Sequence, residues 1–111
     1  MLGPAKPRHL DQPIAVSLED LVPQDNFYRH LEAKLDLSFV REWAQKLYAV
    51  RGRPSIDPVI FFKLQLVMFV EGIRSERKLI EKASLNFAHR WYQGYALDEE
   101  LPDHSSLTRI R

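Results

Sequence analysis

The chain has 111 residues and zero cysteines, with 16 Lys and Arg against 15 Asp and Glu for a net charge of +1. Its length suits one domain and is short for two, while 45% hydrophobic residues, with 2 Trp, 4 Tyr and 6 Phe, supply a core and exclude wholesale disorder. Without cysteine there are no disulfides, thiolate zinc sites or cysteine nucleophiles, the composition fits a reducing, cytoplasmic setting, and any electrostatic argument must come from how the charges are distributed.

Prolines at 4, 7 and 13 make the first residues an extended arm with no apolar signal-peptide core. The expected division is an arm over residues 1–23 and a helical domain over 24–111. Ile14-Ala15-Val16 is too short for a strand, and Leu18, Leu21 and Val22 form a single apolar turn closed by Pro23. Asp25 or Asn26 caps a helix running to Leu35, with Phe27, Leu31 and Leu35 on one face. A second helix begins after Asp36 or Ser38 with an apolar stripe of Phe39, Val40, Trp43, Ala44 and Leu47, and Gly52 closes the region.

Asp57-Pro58 is a helix start, since the carboxylate accepts from free amides and proline at the first helical position loses no needed hydrogen bond. That helix runs to Glu71 and stops at Gly72; it is so apolar from Val59 to Val70 that it reads as the central helix, with the others around it. The apolar window would reach about 18 Å at ~1.5 Å per residue, against about 30 Å for a bilayer core, so no membrane partner is expected. Ser75 caps a helix to about Ser84, with Leu79, Ile80 and Ala83 inward. Asn86–Gln93 forms a short helix ended by Gly94, with Phe87 and Trp91 as its anchors. After the acidic loop Asp98-Glu99-Glu100-Leu101-Pro102, Asp103 or Ser105 caps a last helix that reads as cut short at Arg111. The class is all-α: a bundle of five to six helices.

Three separated stretches carry a family likeness: Gly52-Arg53-Pro54-Ser55-Ile56-Asp57-Pro58, Phe87-Ala88-His89-Arg90-Trp91-Tyr92-Gln93-Gly94-Tyr95, and Pro102-Asp103-His104-Ser105-Ser106-Leu107-Thr108-Arg109-Ile110-Arg111. With Asp36-Leu37-Ser38-Phe39-Val40, they resemble the N-terminal domain of bacterial transposases of the insertion-sequence five type, over roughly Val16 to Arg111. The resemblance implies a helix-turn-helix-like domain that binds double-stranded DNA at the terminal inverted repeats. It also implies a following catalytic domain of the ribonuclease H type, in which three carboxylates (the DDE set) hold two divalent metals, usually magnesium. Those carboxylates would lie beyond Arg111, so the fragment is expected to be non-catalytic and to carry no cofactor of its own.

Read without the likeness, DNA affinity calls for Lys and Arg on one exposed surface. From Arg51 to Tyr92 there are eight basic residues against four acidic ones, a local charge of +4. Arg74, Lys78 and Lys82 step by four with Arg77 beside them, which places them on one helix face; the plainer alternative is a solvated face with Glu81 paired to Arg77 or Lys78. Arg90, with His89, Tyr92 and Gln93, offers groups for phosphates or base edges, or else lies on a packing helix. Ser105, Ser106, Thr108, Arg109 and Arg111 form the polar side of the last helix, which is either a recognition helix or a capped end with complementary arginines. Arg51-Gly52-Arg53-Pro54 matches the core of a minor-groove hook, or a loop leading into the next helix. The four histidines lack paired metal-ligand spacing, and the acidic loop reads as solvated. A second function class is a pairing module, in which Phe39, Trp43 or the aromatics near Trp91 form an apolar patch and the chain is a homo-oligomer.

Overall fold

A short polar side chain stands at the head of nearly every helix and holds the first free amides. The computed structural model of the protein describes residues 2–48 and 56–103, apart from the side chains of Ala44, Leu47 and Tyr48. Among these residues there are six helices and no strand: α1 (Leu18–Leu21), α2 (Phe27–Lys34), α3 (Ser38–Tyr48), α4 (Pro58–Glu71), α5 (Glu76–Leu85) and α6 (Phe87–Gln93). The all-α bundle expected from the sequence is the architecture observed. The Arg51–Pro54 segment and the helix expected after Asp103 lie outside the described residues.

The caps are local chemistry. Asn26 Oδ1 accepts from Tyr28 N at 2.9 Å, Asp57 Oδ1 from Val59 N at 2.9 Å, and Asn86 Oδ1 from His89 N at 3.0 Å. Ser75 Oγ accepts from Lys78 N at 3.4 Å, and Asp36 Oδ1 from Ser38 N at 3.0 Å. Each such cap contributes about 1 kcal/mol. Two helices end on glycines in the left-handed region, Gly72 at φ 67° and Gly94 at φ 86°, a conformation any side chain would strain. Asn86 ends α5 and starts α6, so those helices are joined through one extended residue.

The hub is α4. Leu64 and Val67 are fully buried, and α3, α5 and α6 pack against this helix. Tyr28, Ile56, Leu79 and Tyr92 complete the central cluster, with Ile60, Phe61 and Ile73 packed on it. Truncating Leu64 to alanine is expected to cost about 2–5 kcal/mol. The short α1 touches α6, so the folded body begins at Ser17.

Several faces differ from those read off the sequence. The fourteen-residue α4 outruns the shorter helices against it, and Phe69 near its C-terminal end stays 85% exposed, with Phe62 and Val70 also uncovered. In α2 the buried residue is Tyr28, one position on from the expected stripe, of which Leu31 packs on the core while Phe27 and Leu35 face out. The cause is polar as well as apolar: the Tyr28 hydroxyl donates to Glu71 Oε2 at 2.9 Å, and its ring meets His89 edge-on at 5.1 Å. Leu37 just before α3 and Val40 within it are buried, while Phe39 and Trp43 are exposed, Trp43 at 64%. In the short α6, His89, Tyr92 and Gln93 are buried; of its two expected anchors Trp91 packs on the core and Phe87 is exposed.

Candidate nucleic-acid interface

The reversal after α4 builds the site. Glu71 ends the helix, Gly72 takes the left-handed conformation, and Ile73 N donates back to Met68 O at 2.9 Å while its side chain packs on the core. That closure, the pattern that satisfies orphan carbonyls at a helix end, delivers Arg74 and Ser75 directly to the start of α5. Arg74 stands just before the Ser75 cap, and Lys78 and Lys82 follow on α5 one turn apart, all three exposed. A groove of about 610 Å³ runs beside them, lined by Arg74, Ser75, Lys78 and Lys82 together with Glu71, Ile73 and Glu81.

Arg74, Arg77, Lys78 and Lys82 are all exposed, and no ion pair joins any of them to another described residue. The pairing of Glu81 with Arg77 or Lys78 weighed from sequence is therefore not found. Arg77 is on the same helix but does not line the groove. A second groove, of about 430 Å³ between α2, α3 and α4, differs in kind. Its Arg41 is bound to Asp57 at 2.5 Å, and its Lys63 to Glu32 at 2.7 Å and to the Tyr92 carbonyl at 3.0 Å.

Arg90 is placed otherwise. Its Nε donates to Ser84 O at 2.7 Å, and its Nη1 to Ala96 O at 2.7 Å and Glu99 O at 2.9 Å. The guanidinium ties the end of α5 to the loop after α6, so it is structurally committed and stands apart from the row on α5. His89, Tyr92 and Gln93, also weighed as base or phosphate contacts, are buried. Among the described residues, His89 Nδ1, the Tyr92 hydroxyl and both polar atoms of the Gln93 amide lack a hydrogen-bond partner. Arg51, Arg53, Ser105, Ser106, Thr108, Arg109 and Arg111 lie outside the described residues.

Glu71 was read from sequence only as a helix end, yet it links the groove to the core. One of its carboxylate oxygens accepts from Tyr28 and lies 3.8 Å from His89 Nε2. Burial pushes the His89 pKa down from 6.5; Glu71 opposes that shift and Lys82 adds to it. Burial, aided by Glu71, raises the Tyr28 hydroxyl, and burial with Glu32 nearby pushes the Tyr92 hydroxyl up to about 12. Glu19 was missed as well: it accepts from Trp91 Nε1 and pairs with Arg29 at 2.9 Å, and Arg29 stacks 4.6 Å from the Trp91 ring centre. An acid in a single helical turn gives no sequence signal for such a contact.

Among the described residues, no group of three or more His, Cys, Asp or Glu is placed to hold a metal ion, and no helix is long and apolar enough to cross a membrane. No curated protein and no solved structure matches the chain. A family model described as a transposase domain (DUF772) does match, over residues 16–111. The match starts where the extended arm meets the α1 cap and takes in the whole helical body, and on that extent the chain belongs to the transposase domain family.

Proposed function

We propose that this transposase domain binds double-stranded DNA at the terminal inverted repeats of an insertion element and does not itself cut it. The observation that carries the reading is the row Arg74, Lys78 and Lys82, exposed along a groove and without ion pairs to described residues. Three cations lining one groove, with Arg77 on the same helix as Lys78 and Lys82, suit neighbouring phosphates, and phosphate neutralisation dominates DNA affinity. In this reading Arg51 and Arg53, and the Ser105, Ser106, Thr108, Arg109 and Arg111 face of a recognition helix in a helix-turn-helix arrangement, add flanking contacts on the strength of sequence. Arg90 supports the fold beneath them. The insertion-sequence five likeness adds a catalytic domain after residue 111, whose carboxylates and magnesium ions would perform strand cleavage in the cytoplasm. The test is fluorescence anisotropy on inverted-repeat duplexes across a salt series: four phosphate contacts at ~0.9 each give a log–log slope of about −3.6 or steeper. Affinity indifferent to salt overturns the reading.

The second reading, a module through which transposase copies pair, is favoured by the uncovered aromatics Phe39, Trp43, Phe62 and Phe69. Sedimentation across a wide concentration range separates the two, since a strict monomer leaves no pairing surface to defend.

A further inference from the structure

We infer that the arm before α1 is a second DNA contact, one that lays Lys6 and Arg8 into the minor groove next to the duplex segment held by α5. The inference rests on the DNA-binding reading above and adds a site to it. Residues 2–17 are exposed throughout, and among the described residues the only hydrogen bond that a side chain of the arm makes before Ser17 is local, from Lys6 Nζ to Pro7 O at 3.4 Å. All three basic or imidazole side chains before α1 fall together as Lys6, Arg8 and His9, and no acid precedes Asp11.

The backbone is suited to the task. Pro4, Pro7 and Pro13 hold their own φ near −65° and bias the residues before them toward extended geometry, so docking the arm forfeits less conformational freedom than ordering a flexible tail. A minor groove about 6 Å wide admits a single extended strand carrying Arg and Lys, where a helix is too broad. Lys6 and Arg8 are two apart, which in extended backbone puts both on the same side of the strand.

The root of the arm is fixed while its tip is free. Ser17 caps α1, and Glu19 in that turn binds Trp91 on α6 and Arg29 on α2. From there to Lys6 the chain reaches about 36 Å at ~3.3 Å per residue, roughly one turn of duplex. The tip can therefore find a neighbouring minor groove while α5 stays on its phosphates. Residues 2–15 also precede the span matched by the family.

The experiment uses the full chain, its Lys6→Gln/Arg8→Gln variant, and a labelled duplex of about 30 base pairs, roughly three helical turns, with an A·T-rich stretch. The arm variant should keep the wild-type melting curve, bind several-fold more weakly, and flatten the salt slope by about 1.8. Distamycin, which fills the minor groove, should remove the same increment from the wild type and little from the variant. A variant that keeps wild-type affinity and slope overturns the arm contact and leaves the α5 reading standing, whereas a wild type that binds no duplex overturns both. A loss that distamycin does not reproduce overturns the minor-groove placement. Salt-indifferent self-association abolished by Leu10→Ser/Ile14→Ser assigns the arm to a second copy and also overturns it.

Discussion

The outer face of α5 and the short α6 carry similar side chains to opposite ends. Both bring basic residues next to aromatic or aliphatic anchors, and both were candidates for meeting a polyanion. Arg74 just before α5, and Lys78 and Lys82 on it, line a groove without ion pairs to described residues, while on α6 Arg90 is taken up by the carbonyls of Ser84, Ala96 and Glu99. The difference lies in the backbone. α5 begins with a serine cap and its cationic side runs along solvent, whereas α6 is seven residues long, ends on Gly94, and is followed by a loop whose carbonyls need donors. An arginine beside orphan carbonyls becomes a strut, and a lysine or arginine beside open solvent remains available.

The largest effect expected to sharpen this contrast is on binding. Arg74→Gln/Lys78→Gln/Lys82→Gln should flatten the salt slope by about 2.7 and weaken duplex affinity on the order of 100-fold near physiological salt. Thermal stability should stay within about 0.5 kcal/mol of wild type, as for surface substitutions generally. Arg90→Ala should do the reverse. Leaving three carbonyls without their charged donor is expected to cost about 2 kcal/mol in denaturant titration, with the salt slope of the folded protein unchanged. A variant at Arg90 that stays stable but loses slope would break the comparison.

A smaller effect concerns acidity. The folded-state pKa of His89 is lowered below its ordinary 6.5, so the unfolded chain binds the extra proton first. The stability that comes from keeping His89 neutral is fully present above about pH 6.5 and is lost as pH falls from there toward the folded value. Thermal midpoints should therefore fall on acidification through this window, and His89→Gln should flatten that part of the profile. The smallest effect is expected at Phe69. As it is 85% exposed, Phe69→Gln should change stability by no more than about 0.5 kcal/mol, in contrast to Leu64→Ala four to ten times costlier on the same helix. Any concentration-dependent association seen by sedimentation should weaken in the Phe69 variant.

How much of this was readable in advance depends on the range of the interaction. The Asp57-Pro58 start, the Ser75 and Asn86 caps and the Gly72 and Gly94 stops were legible because a cap involves residues two or three apart and a left-handed stop involves one. The four-residue step of Arg74, Lys78 and Lys82 was legible for the same reason. The inward faces of α2 and α6 were legible only in part, through Leu31 and Trp91. A helix of two turns presents too few apolar positions for its spacing to decide a direction, and on α2 a polar contact with a distant residue helped decide it. Tyr28 turned inward to meet Glu71 and His89, and α6 buried His89, Tyr92 and Gln93 while leaving Phe87 at the surface.

The amino-acid order alone determined that this chain is helical, where its helices begin and end, and which cations share a side of α5, since all of these follow from steric and hydrogen-bonding rules acting within a turn or so. Which of those cations stay free, that Glu71 serves the core and the groove at once, and that α4 keeps an aromatic flank uncovered were decided only when distant segments met. The physical reason is that a charge or a phenyl ring is spent or left available by its neighbours in space, and 43 residues of chain separate Tyr28 from the carboxylate it holds.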